Sequence, residues 1–253
     1  MLNSNMKVTS HLYLLLLFIG CSSAEKKKQS QNHDTDSAQN IATSKLASVD
    51  IKTYPVDFVP NGYRLYSEDG IDQIVKGDLN KDGREDVVFL IKKQEQANIV
   101  KSNNGDLVDR NRRGIVVLFS NGNGYELAAE NLDCFSSENE EGGVYYAPEL
   151  YLEIVKGNLL VKYAHGRYGN WEYIFKLRDN DFELIGYDES NYRGPVIEST
   201  TSINFLTKKK QKKTNTNADA DGGQEVFEET WTTYTGKELL HLSTIRDFDT
   251  IEL

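Results

Sequence analysis

Histidine, cysteine and proline are scarce in this chain, with 4, 2 and 4 residues among 253. Two cysteines, Cys21 and Cys134, are too few for the disulfide frameworks that hold small secreted scaffolds together. Of the histidines, His11 and His33 lie in the N-terminal fifty residues, so only His165 and His241 reach the body of the chain. His-x-x-x-His spacing, paired-cysteine metal sites, a nucleophile elbow and a glycine-rich phosphate loop are all missing. Positive charge is in deficit as well. The 29 Lys and Arg stand against 39 Asp and Glu, a formal net charge of -10. Nucleic acid is therefore an unfavoured partner, because a phosphate-binding surface needs clustered cations in excess.

What the chain does contain is apolar and β-forming. An apolar fraction of 38% suffices for a core, and the length fits one large or two small domains. Fourteen Tyr and ten Phe, with many Val, Ile and Thr, favour strands. The stretches "YRLY", "DVVFLIKK" and "RGIVVLFSNGNGYELAAEN" read as strands, the last broken by an Asn/Gly turn. "ELYLEIVKGNLLVKYAHG" and "NWEYIFKLRDNDFELIGYD" read as two successive hairpins, with Trp171, Tyr173 and Phe175 alternating onto one face. "TTSINFLT" and "EVFEETWTTYT" are further strands, joined by a polar segment from Lys208 to Gln224. Between residues 94 and 112 lies a polar excursion of the kind a long hairpin loop makes, and residues 127–135 have room for one short helix. The expectation is a mainly β fold, a meander of antiparallel hairpins that is sandwich-like or partly propeller-like, with few helices.

The N-terminus carries a targeting signal. Lys7 precedes the apolar run Leu12 to Ile19, which is too short to span a bilayer. Translation from Met1 or from Met6 gives a workable signal. The run ends in Phe18-Ile19-Gly20-Cys21 and resembles the lipobox of bacterial lipoproteins, with Phe18 where Leu is usual. That resemblance implies removal of residues 1–20, lipidation of Cys21 and anchorage in the cell envelope, by default on the periplasmic face of the outer membrane. It also leaves Cys134 without a partner, either as a buried thiol or as one end of an intermolecular bridge. Residues 21–48 are rich in Lys, Gln, Ser and Asn and read as a disordered tether. The folded body is expected from residue 49, as a region 49–135 and a second antiparallel region 136–253.

The segment "GDLNKDGRED" collects oxygen-bearing side chains at alternate positions. Counted from Asp78, donors fall at places 1, 3, 5 and 9 (Asp78, Asn80, Asp82, Asp86), with Gly83 at place 6 and Arg84 offering its carbonyl. Ca²⁺ takes six to eight hard oxygens, and a tightly wound loop turns alternate side chains inward to supply them. A strand pattern follows in place of the long helix of an EF-hand. In this combination the stretch resembles the FG-GAP and VCBS-type repeats of integrin-like propellers and bacterial exported proteins. With the β-rich half after it, the chain resembles bacterial lipoproteins that carry one such calcium loop and bring no established activity. A single repeat does not build a complete propeller. Asn217, Asp219, Asp221 and Glu225 repeat the spacing around Gly222 and form a weaker second candidate, set beside the lysines of 208–213.

One further patch, "HGRYGNWEY", gathers His165, Arg167, Tyr168 and Trp171, groups able to hold a sugar or peptide against an aromatic face. The lysine run from 208 to 213 suits an anionic lipid or glycan, or else a solvated loop that guards hairpin edges. Together these readings describe a calcium-stabilised, membrane-anchored binding or assembly module whose partner is an envelope protein or glycan. The alternatives are an envelope hydrolase or accessory subunit built around His165 and Trp171, and an immunity or inhibitor protein.

Overall fold

The computed structural model describes residues 53–140, 146–236 and 238–253. Cys21, the signal segment and the tether lie outside the described residues. Val49–Leu253 form one compact unit. Its secondary structure is antiparallel β, with short 3-10 turns and no α-helix among the described residues. No helix there is long and apolar enough to cross a membrane.

The first sheet contains β1 (Tyr63–Leu65), β4 (Ile74–Gly77), β5 (Asp86–Lys93), β8 (Arg113–Ser120) and β9 (Tyr125–Phe135), in the order β1-β5-β8-β9. β4 shares the β1 edge of β5, pairing with its first half while β1 pairs with its second. Two small hairpins project from this sheet, β2 (Ser67–Glu68) with β3 (Ile71–Asp72), and β6 (Ile99–Lys101) with β7 (Leu107–Asp109). β5 has seven buried residues in succession. Val88 and Leu90 face the main core, while Val87, Phe89 and Ile91 join a second cluster against Phe58, Val59, Tyr63 and Leu65. Burial on both faces explains why "DVVFLI" is an unbroken apolar run without alternation.

The second sheet is a meander in chain order, from β10 (Glu149–Val155) through β11 (Asn158–Ala164), β12 (Gly169–Arg178), β13 (Asp181–Arg193), β14 (Val196–Asn204) and β15 (Lys209–Asn215) to β16 (Phe227–Thr233). Its strands alternate: Leu150 and Leu152 are buried, whereas Glu149, Tyr151 and Glu153 are exposed. The main core joins the two sheets, with Val88, Leu90, Ile115 and Val117 from one and Leu152, Val161, Tyr173 and Phe175 from the other. A C-terminal segment closes it with Leu242, Ile245 and Phe248. Asn131 holds that segment by donating to the carbonyls of Leu242 and Ile245, both at 2.7 Å. The architecture is sandwich-like, as the hairpin pattern implies.

Two local expectations are corrected and one is refined. Residues 127–135 are strand β9 and not a helix, because pairing with β8 from Arg113↔Phe135 to Ser120↔Tyr125 overrides the weak helical preference of "ELAAEN". A register shift at Arg113/Ile115 accommodates Gly114, where a Cβ would lie 2.3 Å from the Leu132 carbonyl oxygen. Residues 94–112 do connect the antiparallel pair β5 and β8 as the long hairpin loop expected, refined only in that they carry the small β6-β7 hairpin. The lysine run is the strand β15, hydrogen-bonded on both sides, and not a solvated loop. In an extended strand consecutive lysines point to opposite faces, which separates their charges and makes the run compatible with a sheet.

Candidate functional site

The oxygen-rich loop joins β4 to β5 and is ordered by its own side chains. Asp78 accepts the backbone N–H groups of Asp82 at 3.1 Å and Gly83 at 3.0 Å, and Asn80 accepts from Asp82 at 3.0 Å. Asp82 accepts the Arg84 N–H at 2.9 Å. The winding needs two positive φ angles, +64° at Lys81 and +85° at Gly83, the second of which suits glycine. Asp82 also pairs with the Arg84 guanidinium, whose Nε donates to the Ser120 carbonyl at 2.8 Å. The Arg84 amide and the Asn80 carboxamide, together with that guanidinium, hold the Asp82 carboxyl below its ordinary value.

Asp86 is placed differently. It is fully buried, and its carboxylate accepts from Leu79 at 2.8 Å, Asn80 at 3.3 Å and Ser120 at 3.1 Å. It thus clasps the loop to the turn between β8 and β9. Across the seam, a Cβ on Gly157, in the β10-β11 turn, would sit 3.2 Å from the Asp78 carbonyl oxygen. Among the described residues no three His, Cys, Asp or Glu side chains converge as a metal cluster. The loop offers Asp78, Asp82 and the Asn80 carboxamide, a hard-oxygen set of the kind calcium takes.

The second loop is arranged otherwise. Asn217 accepts from Asp219 at 3.2 Å, but Glu225 turns away to accept from Ile197 at 3.0 Å and Gly223 at 2.9 Å. Glu225 therefore ties the loop to β14, and those amides hold its carboxyl below the ordinary value.

The aromatic patch divides into two parts. His165, Arg167 and Tyr168 sit on the 3-10 turn between β11 and β12, with His165 Nε2 2.8 Å from the Tyr146 carbonyl oxygen and its ring 5.1 Å from that of Tyr168. Trp171 lies on β12 and stacks on Tyr163, centroids 5.1 Å apart and planes 12° from parallel. A groove of about 280 Å³ runs beside Trp171, lined among others by Tyr151, Lys162, Glu172, Asp188 and Ser190. Lys162 bonds Glu153 at 2.9 Å and lies 3.5 Å from Glu172.

Sequence reasoning missed a buried charge cluster at one end of the core. Lys92 and Arg113 are 0% and 2% exposed. Lys92 Nζ donates to the Asp109 carbonyl at 3.0 Å and pairs with Glu138 and, at 3.4 Å, with the Asp109 carboxylate. Arg113 donates to the Ser136 carbonyl at 2.8 Å, lies 3.9 Å from Glu138, and stands 5.0 Å from the Tyr66 ring centroid. Burial pushes the Tyr66 phenol up. Burial also raises the Asp109 carboxyl, but the Asn111 amides and Lys92 outweigh it and the net direction is down. A signal was available, since Lys92 shares period-two phase with Val88 and Leu90, and Arg113 with Ile115 and Val117.

Cys134 is fully buried and donates to the Asn131 carbonyl, Sγ to O 3.6 Å. Compared with known protein families, with curated proteins and with solved structures, the chain matches none.

Proposed function

We propose that this protein is a calcium-stabilised binding or assembly module, exported and anchored to the cell envelope through Cys21, whose scaffold performs no chemistry of its own. The observation that carries the reading is the position of the 78–86 loop. It is wound by its own oxygens and lies where both sheets meet, between the Ser120 turn and the Gly157 turn. Asp78, Asn80 and Asp82 would hold the ion through side-chain oxygens and Arg84 through its carbonyl. Asp86 supports them from beneath through the amides it accepts. The ion supplies fixed positive charge at a strained loop and orders it.

Exported modules bind calcium with Kd of about 10⁻⁴ to 10⁻³ M, and tenfold excess over Kd adds about 1.4 kcal/mol of stability. For a domain of this size that raises Tm by about 3–6 °C. Thermal unfolding in calcium and in chelator is expected to show this gap for the native chain and none for Asp82→Ala. A gap that survives Asp82→Ala removes calcium from this loop. Incorporation of labelled palmitate, lost in Cys21→Ser, checks the anchor separately.

A further inference from the structure

β15 and β16 continue the second sheet beyond the core that organises it. The row Tyr173, Tyr187, Ile203 on β12 to β14 packs inward, but in register it continues as Lys210 and Thr232. Every residue of β16 is exposed, with Trp231 at 59% and Phe227 at 40%. A two-stranded extension whose residues join no apolar cluster among the described residues gains little from burial.

Among the described residues no strand pairs with the outer edge of β16. β16 is the last strand of its sheet. Tyr234 N–H donates to Lys208 at 2.9 Å and Val226 accepts from Thr216 at 2.7 Å, so the even-numbered positions bond inward to β15. The N–H and C=O groups of Phe227, Glu229, Trp231 and Thr233 therefore point outward, away from the sheet. Of the usual devices that protect an edge, this strand carries only the charges of Glu228 and Glu229: it has no proline or lysine, and its register with β15 is unbroken.

We propose that β16 is a self-pairing edge, on which a second copy of this chain adds its own β16 antiparallel about a two-fold axis at Thr230. In that register Glu229 faces Trp231 of the second copy, Glu228 faces Thr232 and Phe227 faces Thr233. No like charges oppose each other directly, and Glu229 faces the second copy's Trp231, whose indole N–H donates to Glu229 within its own strand. Charge favours a like partner at this place. Between positions 208 and 233 five lysines stand against five acidic residues, so the hairpin is neutral and the whole formal charge of -10 lies elsewhere. Two copies meeting here avoid the repulsion that other surfaces impose, and a symmetric contact closes at the dimer.

Sedimentation velocity of the full chain in mild non-ionic detergent, over a concentration series, reads the association. A concentration-dependent dimer is expected. Trp231→Pro removes one outward N–H per copy and no bond to β15, so it should raise the dimer Kd about thirtyfold through two lost edge hydrogen bonds while leaving the Tm of the dilute monomer unchanged. In a Cys21→Ser background, Thr230→Cys should oxidise readily to a cross-linked dimer, because facing residues at a non-hydrogen-bonded position lie about 4.5 Å apart at Cα. Glu228→Cys should not, since its two copies would lie about 13 Å apart along the strands. A monomer at every concentration, or cross-linking as efficient at 228 as at 230, overturns the proposal.

Discussion

Asp86 accepts the backbone N–H groups of Leu79, Asn80 and Ser120, from a position with no solvent access. Alanine at this site removes the acceptor and strands three donors. A buried donor left unsatisfied costs about 1–3 kcal/mol. Leu79 is buried, while Asn80 at 3.3 Å and Ser120 at 3.1 Å are half-buried and count toward the low end. The sum is about 4 kcal/mol, which lowers Tm by about 10 °C in a domain of this size. Urea unfolding followed by the fluorescence of Trp171 and Trp231, in chelator so that calcium plays no part, measures it directly. Asp86→Asn keeps one acceptor oxygen and should lose about half as much. Asp82→Ala, on the exposed rim of the loop, should lose less than either under the same conditions. A loss below about 1 kcal/mol for Asp86→Ala, with an unchanged m-value, would refute the clasp.

Removing one partner of the buried charge cluster should be costly in an asymmetric way. Glu138→Ala removes the carboxylate that Lys92 and Arg113 share, and with Asp109 still on Lys92 and Glu138 partly exposed it is expected to cost about 1–3 kcal/mol, whereas Glu138→Ala with Lys92→Met should recover part of that loss in urea titrations. The Asp109 carboxyl is depressed below its ordinary value of 3.8 in the fold. Its contribution is therefore complete above that pH and lost as pH falls through the lower folded value. The difference in urea midpoint between the native chain and Asp109→Asn should be full at neutral pH and shrink below about pH 4. Burial pushes the Cys134 thiol far up, so it should resist a thiol-specific chromophoric reagent at pH 8 and react only at the rate of global unfolding; rapid native labelling would contradict its burial.

Much of the fold was legible because period-two alternation and Asn/Gly turns specify hairpins locally. "ELYLEIVKGNLLVKYA" becomes β10 and β11 with its turn at Lys156 and Gly157, both at positive φ. Legibility failed where pairing partners distant in sequence decide the outcome. "YELAAEN" reads as a strand from its Asn/Gly turn, but the room for a short helix over 127–135 is closed only by pairing with β8. Lys209 to Lys213 is a strand because β14 and β16 flank it. At the loop, spacing located the oxygens of Asp78, Asn80 and Asp82. It does not distinguish a carboxylate that faces the loop from one that caps backbone amides beneath it, as Asp86 does. Asp86 opens β5 with seven buried positions in a row, so its neighbourhood in sequence already pointed inward. Lys92 and Arg113 stand at strand ends, where a cation ordinarily meets solvent, and only their phase with the core residues points inward.

The placement of the loop bears on what an ion there can influence. Gly77, at the end of β4, has so little space that a Cβ would come within 2.6 Å of the Ile154 Cγ2 on β10. Gly157 is similarly close to the Asp78 carbonyl oxygen, and Asp86 reaches Ser120. An ordered loop therefore stiffens turns belonging to both sheets at their seam. β16 lies six strand steps from β10 in the second sheet, about 29 Å at the usual spacing, and its positions carry no core contact through which strain from the seam passes. Perturbations so far apart with no shared partners combine additively. On the proposed reading, calcium removal would therefore act on the stability of the body and leave the chemistry of the β16 edge as it was, so that an ion's contribution and strand pairing can be measured one at a time in the same molecule.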